Sequence, residues 1–270
     1  MRWHGSGGTG SVSLPAGYVL VRSPVASWIA RSECADELER GAADRLLAGR
    51  GRRDKRPGSG RGPLVLLGLG GAPAVGKRAL HGGIAGRLLG GLYWGPGRIL
   101  AQLRAALRLR ERGIPTPDVL AVGWRPVFAG LAAQAIVTRA IPGAENLYEA
   151  TRHDAPWRRR RVILSRSAGL VRAMHDAGFL HADLNVTNLI LGGTATGDRI
   201  HLVDLDKGRF VAEVGLCDRA ANLARLRQSY RKWIQGISSL TPREEIFFLR
   251  GYCRSDRALL RALLRRLGRG

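Results

Sequence analysis

Cysteine is scarce. The chain has three, Cys34, Cys217 and Cys253, far apart and without C-x-x-C spacing, so neither a disulfide framework nor a zinc site is expected and a reducing cytoplasm is the simplest home. Acidic residues are also few, 21 Asp and Glu against 44 Lys and Arg, and the resulting formal charge of +23 would attract nucleic acid, anionic lipid or a phosphorylated substrate. Long hydrophobic runs are missing. The longest apolar stretch, Leu64 to Gly76, is glycine-rich and falls short of the roughly 20 residues that span a bilayer. Met1 to Gly10 lacks the apolar segment of a secretory signal, so a chain neither integral nor secreted by that route is expected. What is present suffices for a core: 45% of the 270 residues are hydrophobic and 24% charged, the balance of a globular protein with one large domain or two lobes sharing a cleft.

Residues 1–57 read as an N-terminal extension, with a helix from about Glu33 to Ala48 and a basic linker, Arg50 to Arg56, ending at Pro57-Gly58. Residues 58–139 are rich in strand signals. Leu64 to Leu67 and Ala74 to Lys77 flank a glycine turn, and Val119 to Gly123 and Gln134 to Thr138 follow. Between them a helix from about Arg98 to Arg112 places Ile99, Leu100, Leu103, Ala106 and Leu107 on one face, and Gly113 stops it. Beyond Ile141-Pro142-Gly143, residues 140–270 are mainly helical, with helices over Arg158 to Ala177, Asp218 to Gly236 and Arg257 to Leu267. Strands first and helices later predict an α+β protein with two lobes.

The densest chemistry lies in His181-Ala182-Asp183-Leu184-Asn185-Val186-Thr187-Asn188, followed by the apolar strand Leu189 to Leu191 and then Leu202-Val203-Asp204-Leu205-Asp206. This fits H-x-D-x-x-x-x-N and a strand ending in an aspartate, the arrangement of kinase catalytic and metal-binding loops. Phosphoryl transfer needs one carboxylate to orient the acceptor hydroxyl and take its proton, a role that suits Asp183. It also needs a carboxylate and an amide oxygen to hold Mg²⁺ against the phosphates, which suits Asp204 and Asn188, with Asp206 as an additional ligand. Single Asp and Asn residues commonly decorate turns; their joint spacing between two apolar strands favours the catalytic reading.

The stretch Met174-His175-Asp176-Ala177-Gly178-Phe179-Leu180-His181-Ala182-Asp183-Leu184-Asn185 resembles the bacterial lipopolysaccharide kinase (Kdo/heptose kinase) family, nearest its 3-deoxy-D-manno-octulosonic acid (Kdo) branch. Gly60-Arg61-Gly62 is similar to that family's nucleotide loop, His81-Gly82-Gly83 to its R-R-G-G turn, Ile136 to Gly143 to its hinge, and Asn222 to Ser229 to its N-L-x-R-L-x-x-S helix. The resemblance implies a two-lobed protein-kinase-like fold, with a nucleotide-binding lobe at 58–139 and a catalytic lobe at 140–270. It further implies ATP and Mg²⁺ as cofactors, ATP between the lobes, adenine at the backbone near Thr138 and Arg139, and Lys77 as the basic residue of the third strand. The implied acceptor is the Kdo sugar of lipid A, reached from the cytoplasmic face of the bacterial inner membrane.

The chain departs from the family pattern in two places. Gln102 stands where the glutamate partner of Lys77 is expected, and the R-R-G-G turn is reduced to His81. These motivate one alternative, a membrane-associated pseudokinase; a second is another sugar acceptor, such as a core heptose or an aminoglycoside-like molecule. Gly71-Ala72-Pro73-Ala74-Val75-Gly76-Lys77 also matches G-x-x-x-x-G-K, but Arg78 occupies the position where a phosphate loop needs Ser or Thr. The basic segments, Arg50 to Arg56, Arg158 to Arg161 and the C-terminal arginines, are either solvated surface or a means of attraction to an anionic membrane. Leu259, Leu260, Leu263, Leu264 and Leu267 recur at helical spacing, so the last helix either docks on the helical lobe or lies in the bilayer interface. Nucleic acid is not an expected partner, because no zinc, RNA-recognition or helix-turn-helix signature accompanies the charge.

Overall fold

A computed structural model describes residues 2–3, 12–48, 64–80, 91–151, 155–194, 197–206, 208–233 and 241–268. The chain divides into two compact units, 1–103 with 118–140, and 104–117 with 141–270.

The first unit is built on an antiparallel sheet in the order Tyr18–Arg22, Ser27–Arg31, Val119–Phe128, Leu131–Arg139, Ala72–Arg78, Leu64–Leu69, with Leu92–Trp94 pairing onto Leu131–Arg139. The central strand Leu131–Arg139 is buried over its first seven residues, as a strand covered on both faces must be, and its small residues Ala132, Ala133 and Ala135 let the covering elements approach. One covering element comes from the N-terminal segment. In place of the single helix expected from Glu33 to Ala48 there are two short ones, Ala35–Glu39 and Asp44–Leu47, separated where Gly41 takes φ +83°. Their Leu38, Leu46 and Leu47 join Trp28, Leu120 and Val137 in one core cluster. Trp28 is fully buried, and a Cβ on Gly123 would sit 2.3 Å from its ring. Gly123→Ala is therefore expected to destabilise the protein by about 1–3 kcal/mol, because the indole has no room to retreat. A urea titration checks this, and an unchanged midpoint would show that the contact relaxes freely.

Lys77 lies within the strand Ala72–Arg78, opposite Leu64 on one side and Ile136 on the other. The segment is sheet and not a phosphate loop, because its backbone groups belong to ladders on both sides.

In the second unit, Gly113 at φ +72° ends the helix Gly97–Glu111, and Ile114 N–H donates to Leu109 O at 2.9 Å. A hairpin, Leu189–Thr194 with Gly197–Leu202, carries the short strand Glu145–Asn146 on its other edge. Helices Leu147–Ala150, Trp157–Asp176, Leu216–Trp233, Pro242–Cys253 and Arg257–Leu267, a single helical turn at Val186–Asn188 and the short ladder of Phe179–Leu180 with Arg209–Phe210 accompany it. Pro242–Cys253 starts with a reciprocal cap between Thr241 and Glu244. The buried Glu244 carboxylate also pairs with Arg160 at 2.5 Å, Arg159 pairs with Glu145 at 2.8 Å, and Arg161 lies over the rings of Trp157 and Phe247. Three of the four arginines in that run thus have partners, but only Arg160 is drawn into the structure, Arg159 and Arg161 staying exposed. The last helix buries Leu263 and Leu267 and contacts the two helices before it, which is the docked arrangement, with Arg257, Arg261, Arg265 and Arg266 exposed. Among the described residues no helix is long and apolar enough to cross a membrane.

Candidate phosphotransfer site

Two strand ends and one loop position the acidic residues of the second unit. The strand Phe179–Leu180 pairs with Arg209–Phe210, and Phe179 packs edge-on against Phe210 with centroids 5.0 Å apart. This fixes where the chain enters the loop at His181. That histidine is fully buried, and burial pushes its pKa below the ordinary value, so the ring is neutral. Its Nε2 lies 3.0 Å from Val203 O and its Nδ1 accepts from Asp183 N–H at 3.2 Å. Since Nδ1 accepts, the single ring proton sits on Nε2 and is donated to Val203.

Val203 is the hub of the arrangement. Its carbonyl receives His181, while its N–H donates to Asn188 O at 3.0 Å, continuing the pairing of Leu189 with Leu202. Asp204, the next residue along the chain, is thereby held beside Asn188. The side-chain amide of Asn188, 6% exposed, donates through Nδ2 to Asp183 O at 2.8 Å. That bond fixes the amide orientation and leaves Oδ1 as the atom able to ligate a cation. Asn185 donates to the same Asp183 carbonyl at 3.1 Å and accepts from Thr187 N–H at 2.9 Å. The backbone of Asp183 is pinned at its N–H and its carbonyl, while its carboxylate is exposed. Asp204 has φ +58°, a left-handed conformation that a non-glycine residue adopts only where its surroundings dictate it, and such residues cluster at functional sites. Asp206 is half-buried, two residues further on.

Asp204, two residues before Asp206 and one after the residue bonded to Asn188 O, can offer together with the Asn188 amide oxygen a set of hard oxygen donors. Such a set fits Mg²⁺, which takes hard oxygen ligands, keeps several waters and binds substrate phosphates. Among the described residues no three of His, Cys, Asp and Glu come together as a metal cage, and a phosphate-bound Mg²⁺ requires none.

Sequence reasoning missed what holds the loop from behind. From the helix Leu216–Trp233, Arg225 donates to Ala182 O and Ser229 Oγ accepts from Val186 N–H at 3.1 Å. Asn222 Oδ1 lies 3.2 Å from His175 Nε2, and His175 Nδ1 lies 2.8 Å from the Tyr252 hydroxyl. Arg219 bridges Tyr252 and Asp176, and Asp176 also receives Arg172. The N-L-x-R-L-x-x-S spacing puts Asn222, Arg225 and Ser229 along one side of the helix, which was the available signal.

Burial pushes His175 from 6.5 down to about 4. The unfolded ring gains a proton near pH 6.5 and the folded ring only near 4, so the stabilisation is complete above 6.5 and is lost as pH falls toward 4. Its size is about 3 kcal/mol, at about 1.4 kcal/mol per unit. His175→Gln is expected to remove this component, so that the stability difference between wild type and variant narrows by about that amount between pH 7 and 4. Equal pH dependence in the two chemical denaturation series would show that the buried ring does not titrate in this way.

In the first unit, Thr138 and Arg139 end the central strand. Arg139 N–H donates to Asp118 O at 2.8 Å and Ala140 N–H to Pro73 O at 2.9 Å. The Arg139 guanidinium is 3.9 Å from both Asp118 and Glu33, and Arg31 pairs with Asp118 at 2.8 Å. Lys77 and Gln102 are half-buried. Gly60, Arg61, Gly62 and the turn His81-Gly82-Gly83 lie outside the described residues.

A family model described as the lipopolysaccharide kinase (Kdo/WaaP) family matches residues 91–252. The 3-deoxy-D-manno-octulosonic acid kinase of Haemophilus influenzae is 31% identical over 137 residues, covering 50% of this chain and 54% of that protein. The protein of the same name from Stenotrophomonas maltophilia is 29% identical over 181 residues, covering 64% and 68%. The chain spans about half the length of the first of these relatives. Among solved structures, "WaaP in complex with acyl carrier protein" is similar with TM-score 0.50 at 21% identity, covering 84% of this chain and 95% of that one. That likeness is one of fold, and it accords with the expected α+β, protein-kinase-like class.

Proposed function

The chain belongs to the lipopolysaccharide kinase (Kdo/WaaP) family, and from that premise we propose that it transfers the γ-phosphate of ATP to a hydroxyl of a Kdo residue on lipid A. The observation that supports the reading is the Val203 backbone, whose carbonyl meets His181 and whose N–H donates to Asn188 O, tying together the segments that carry Asp183, Asn188 and Asp204.

In this reading the exposed Asp183 carboxylate accepts a hydrogen bond from the sugar hydroxyl, aligns it for in-line attack and takes its proton as the bond to phosphorus forms. His181 and Asn188 hold the Asp183 backbone, so the carboxylate waits in position and does not have to be ordered at each turnover. Asn188 Oδ1 and Asp204, with Asp206 as a further ligand, would hold Mg²⁺, which when bound neutralises charge on the phosphate oxygens. Lys77 is assigned to the phosphates, and Gly60-Arg61-Gly62 to the loop above them. Adenine is assigned to the backbone at Thr138 and Arg139. The N–H groups of Arg139 and Ala140 are committed to Asp118 and Pro73, so the base is expected to meet carbonyls there. Gln102 in place of a glutamate turns an ion pair with Lys77 into an amide contact. The domain assignment belongs to the same proposal: an extension at 1–57, a nucleotide lobe at 58–139 and a catalytic lobe at 140–270.

The acceptor is a glycolipid, and the exposed arginines of Arg257–Leu267 suit peripheral contact with the anionic cytoplasmic face of the inner membrane. A panel of acceptors tests the specificity: lipid A bearing Kdo, the same lipid without Kdo, a heptose-extended core and an aminoglycoside, each with labelled ATP and Mg²⁺. Transfer that requires Kdo supports the assignment, and preference for the heptose or the aminoglycoside replaces the acceptor.

A further inference from the structure

The second unit contains a groove of about 670 Å³ between the helices Leu216–Trp233 and Arg257–Leu267. It is lined at its base by the buried Ala220 and Leu267 and the half-buried Ala224 and Ala262, and at its edge by the exposed Arg265 and Arg266, with the exposed Ala221 and the half-buried Arg227 also lining it. None of these residues belongs to the constellation around Asp183. Alanine side chains offer no hydrogen bonds, so the floor suits methylene groups and has nothing to give a sugar. Guanidinium groups present forked donors that match phosphate oxygens. Leu264, 41% exposed, lies on the same helix beside Arg265, so apolar and cationic surface run together.

We infer that this groove binds one anionic phospholipid, its phosphate on Arg265 and Arg266 and the start of an acyl chain along the apolar base formed by Ala220, Ala224, Ala262 and Leu267. The occupant is chosen by charge and by polarity together. The chain carries +23 and the groove has a cationic rim over an apolar floor, the polarity order of a lipid headgroup and its chain. An acidic peptide would satisfy the rim and leave the floor without a partner. The inference rests on the glycolipid-kinase reading, which brings the chain to an anionic leaflet. It adds a defined lipid site to attraction that would otherwise be spread over the surface.

Cosedimentation of the full chain with phosphatidylglycerol vesicles and with phosphatidylcholine vesicles tests it. Arg265→Gln with Arg266→Gln should weaken binding to phosphatidylglycerol about 30-fold, taking about 1 kcal/mol for each basic residue at an anionic surface and 1.4 kcal/mol per tenfold. Arg257→Gln with Arg261→Gln, which removes equal charge from the same helix outside the groove lining, should weaken it clearly less than the groove pair does, because only diffuse attraction is lost. Ala221→Leu, which keeps the charge and narrows the groove from its exposed lining, should also weaken it, with an unchanged thermal melt. Equal losses for the two arginine pairs with Ala221→Leu silent would mean diffuse attraction and overturn the groove, as would absence of binding to phosphatidylglycerol. Phosphate transfer to a detergent-dispersed acceptor, measured on the same variants, keeps the two readings apart: retained transfer with lost vesicle selectivity concerns the groove alone.

Discussion

Asp183→Ala is expected to lower turnover by about two to four orders of magnitude while leaving ATP affinity largely intact, the range for removal of a general acid–base group. The substitution is clean for a structural reason. The contacts that hold this residue go to its backbone: its N–H to His181, and its carbonyl from Asn185 and Asn188. Alanine keeps them all, and the carboxylate it removes is exposed, so no buried partner is orphaned. A fall in turnover with an unchanged melting temperature therefore reports chemistry and not folding. Turnover close to wild type would show that another group takes the proton.

Asp204→Asn should lower activity by about two to three orders of magnitude, the scale of losing a preorganised electrostatic contact to the transferring group. It should also raise the Mg²⁺ concentration needed for half-maximal activity. Asparagine is the appropriate replacement because it tolerates the left-handed backbone that Asp204 adopts at φ +58°. An alanine there would confound metal binding with strain. Asn188 is less suitable as a probe, since its side chain also donates to Asp183 O at 2.8 Å. If Asp204→Asn leaves the metal titration unmoved, Asp204 is not a ligand and the pairing with Asn188 fails.

The parts of this protein that were readable in advance are those fixed by local spacing. His181, Asp183 and Asn188 lie within one loop, and the hairpin behind it was visible as two short apolar runs, so the constellation could be drawn from sequence before any geometry. The helix Arg257–Leu267 has the bounds that its leucine periodicity predicts. Elements fixed by distant partners were harder. Tyr18–Arg22 and Ser27–Arg31 are five-residue strands paired with each other, and only the pairing of Ser27–Arg31 with Val119–Phe128, far along the chain, places them in the sheet. The helix Pro242–Cys253 was overlooked although Thr241-Pro242-Arg243-Glu244 is a capping box with proline at the first turn. The expected helix from Glu33 to Ala48 breaks at Gly41, where a turn stacks Leu38 and Leu46 into the core of the sheet. Around the site, Arg225 and Ser229 reach Ala182 and Val186 only because a helix some forty residues downstream packs against the loop. Residue type alone does not announce such a role.

The most direct test is transfer itself: purified protein, ATP labelled at the γ-phosphate and lipid A bearing Kdo, with and without Mg²⁺, followed by separation of the glycolipid. The predicted result is labelled glycolipid that appears only with Mg²⁺ and disappears with Asp183→Ala. Protein that binds ATP yet labels no sugar acceptor, with or without the metal, would contradict the assignment and leave a kinase fold that does not catalyse.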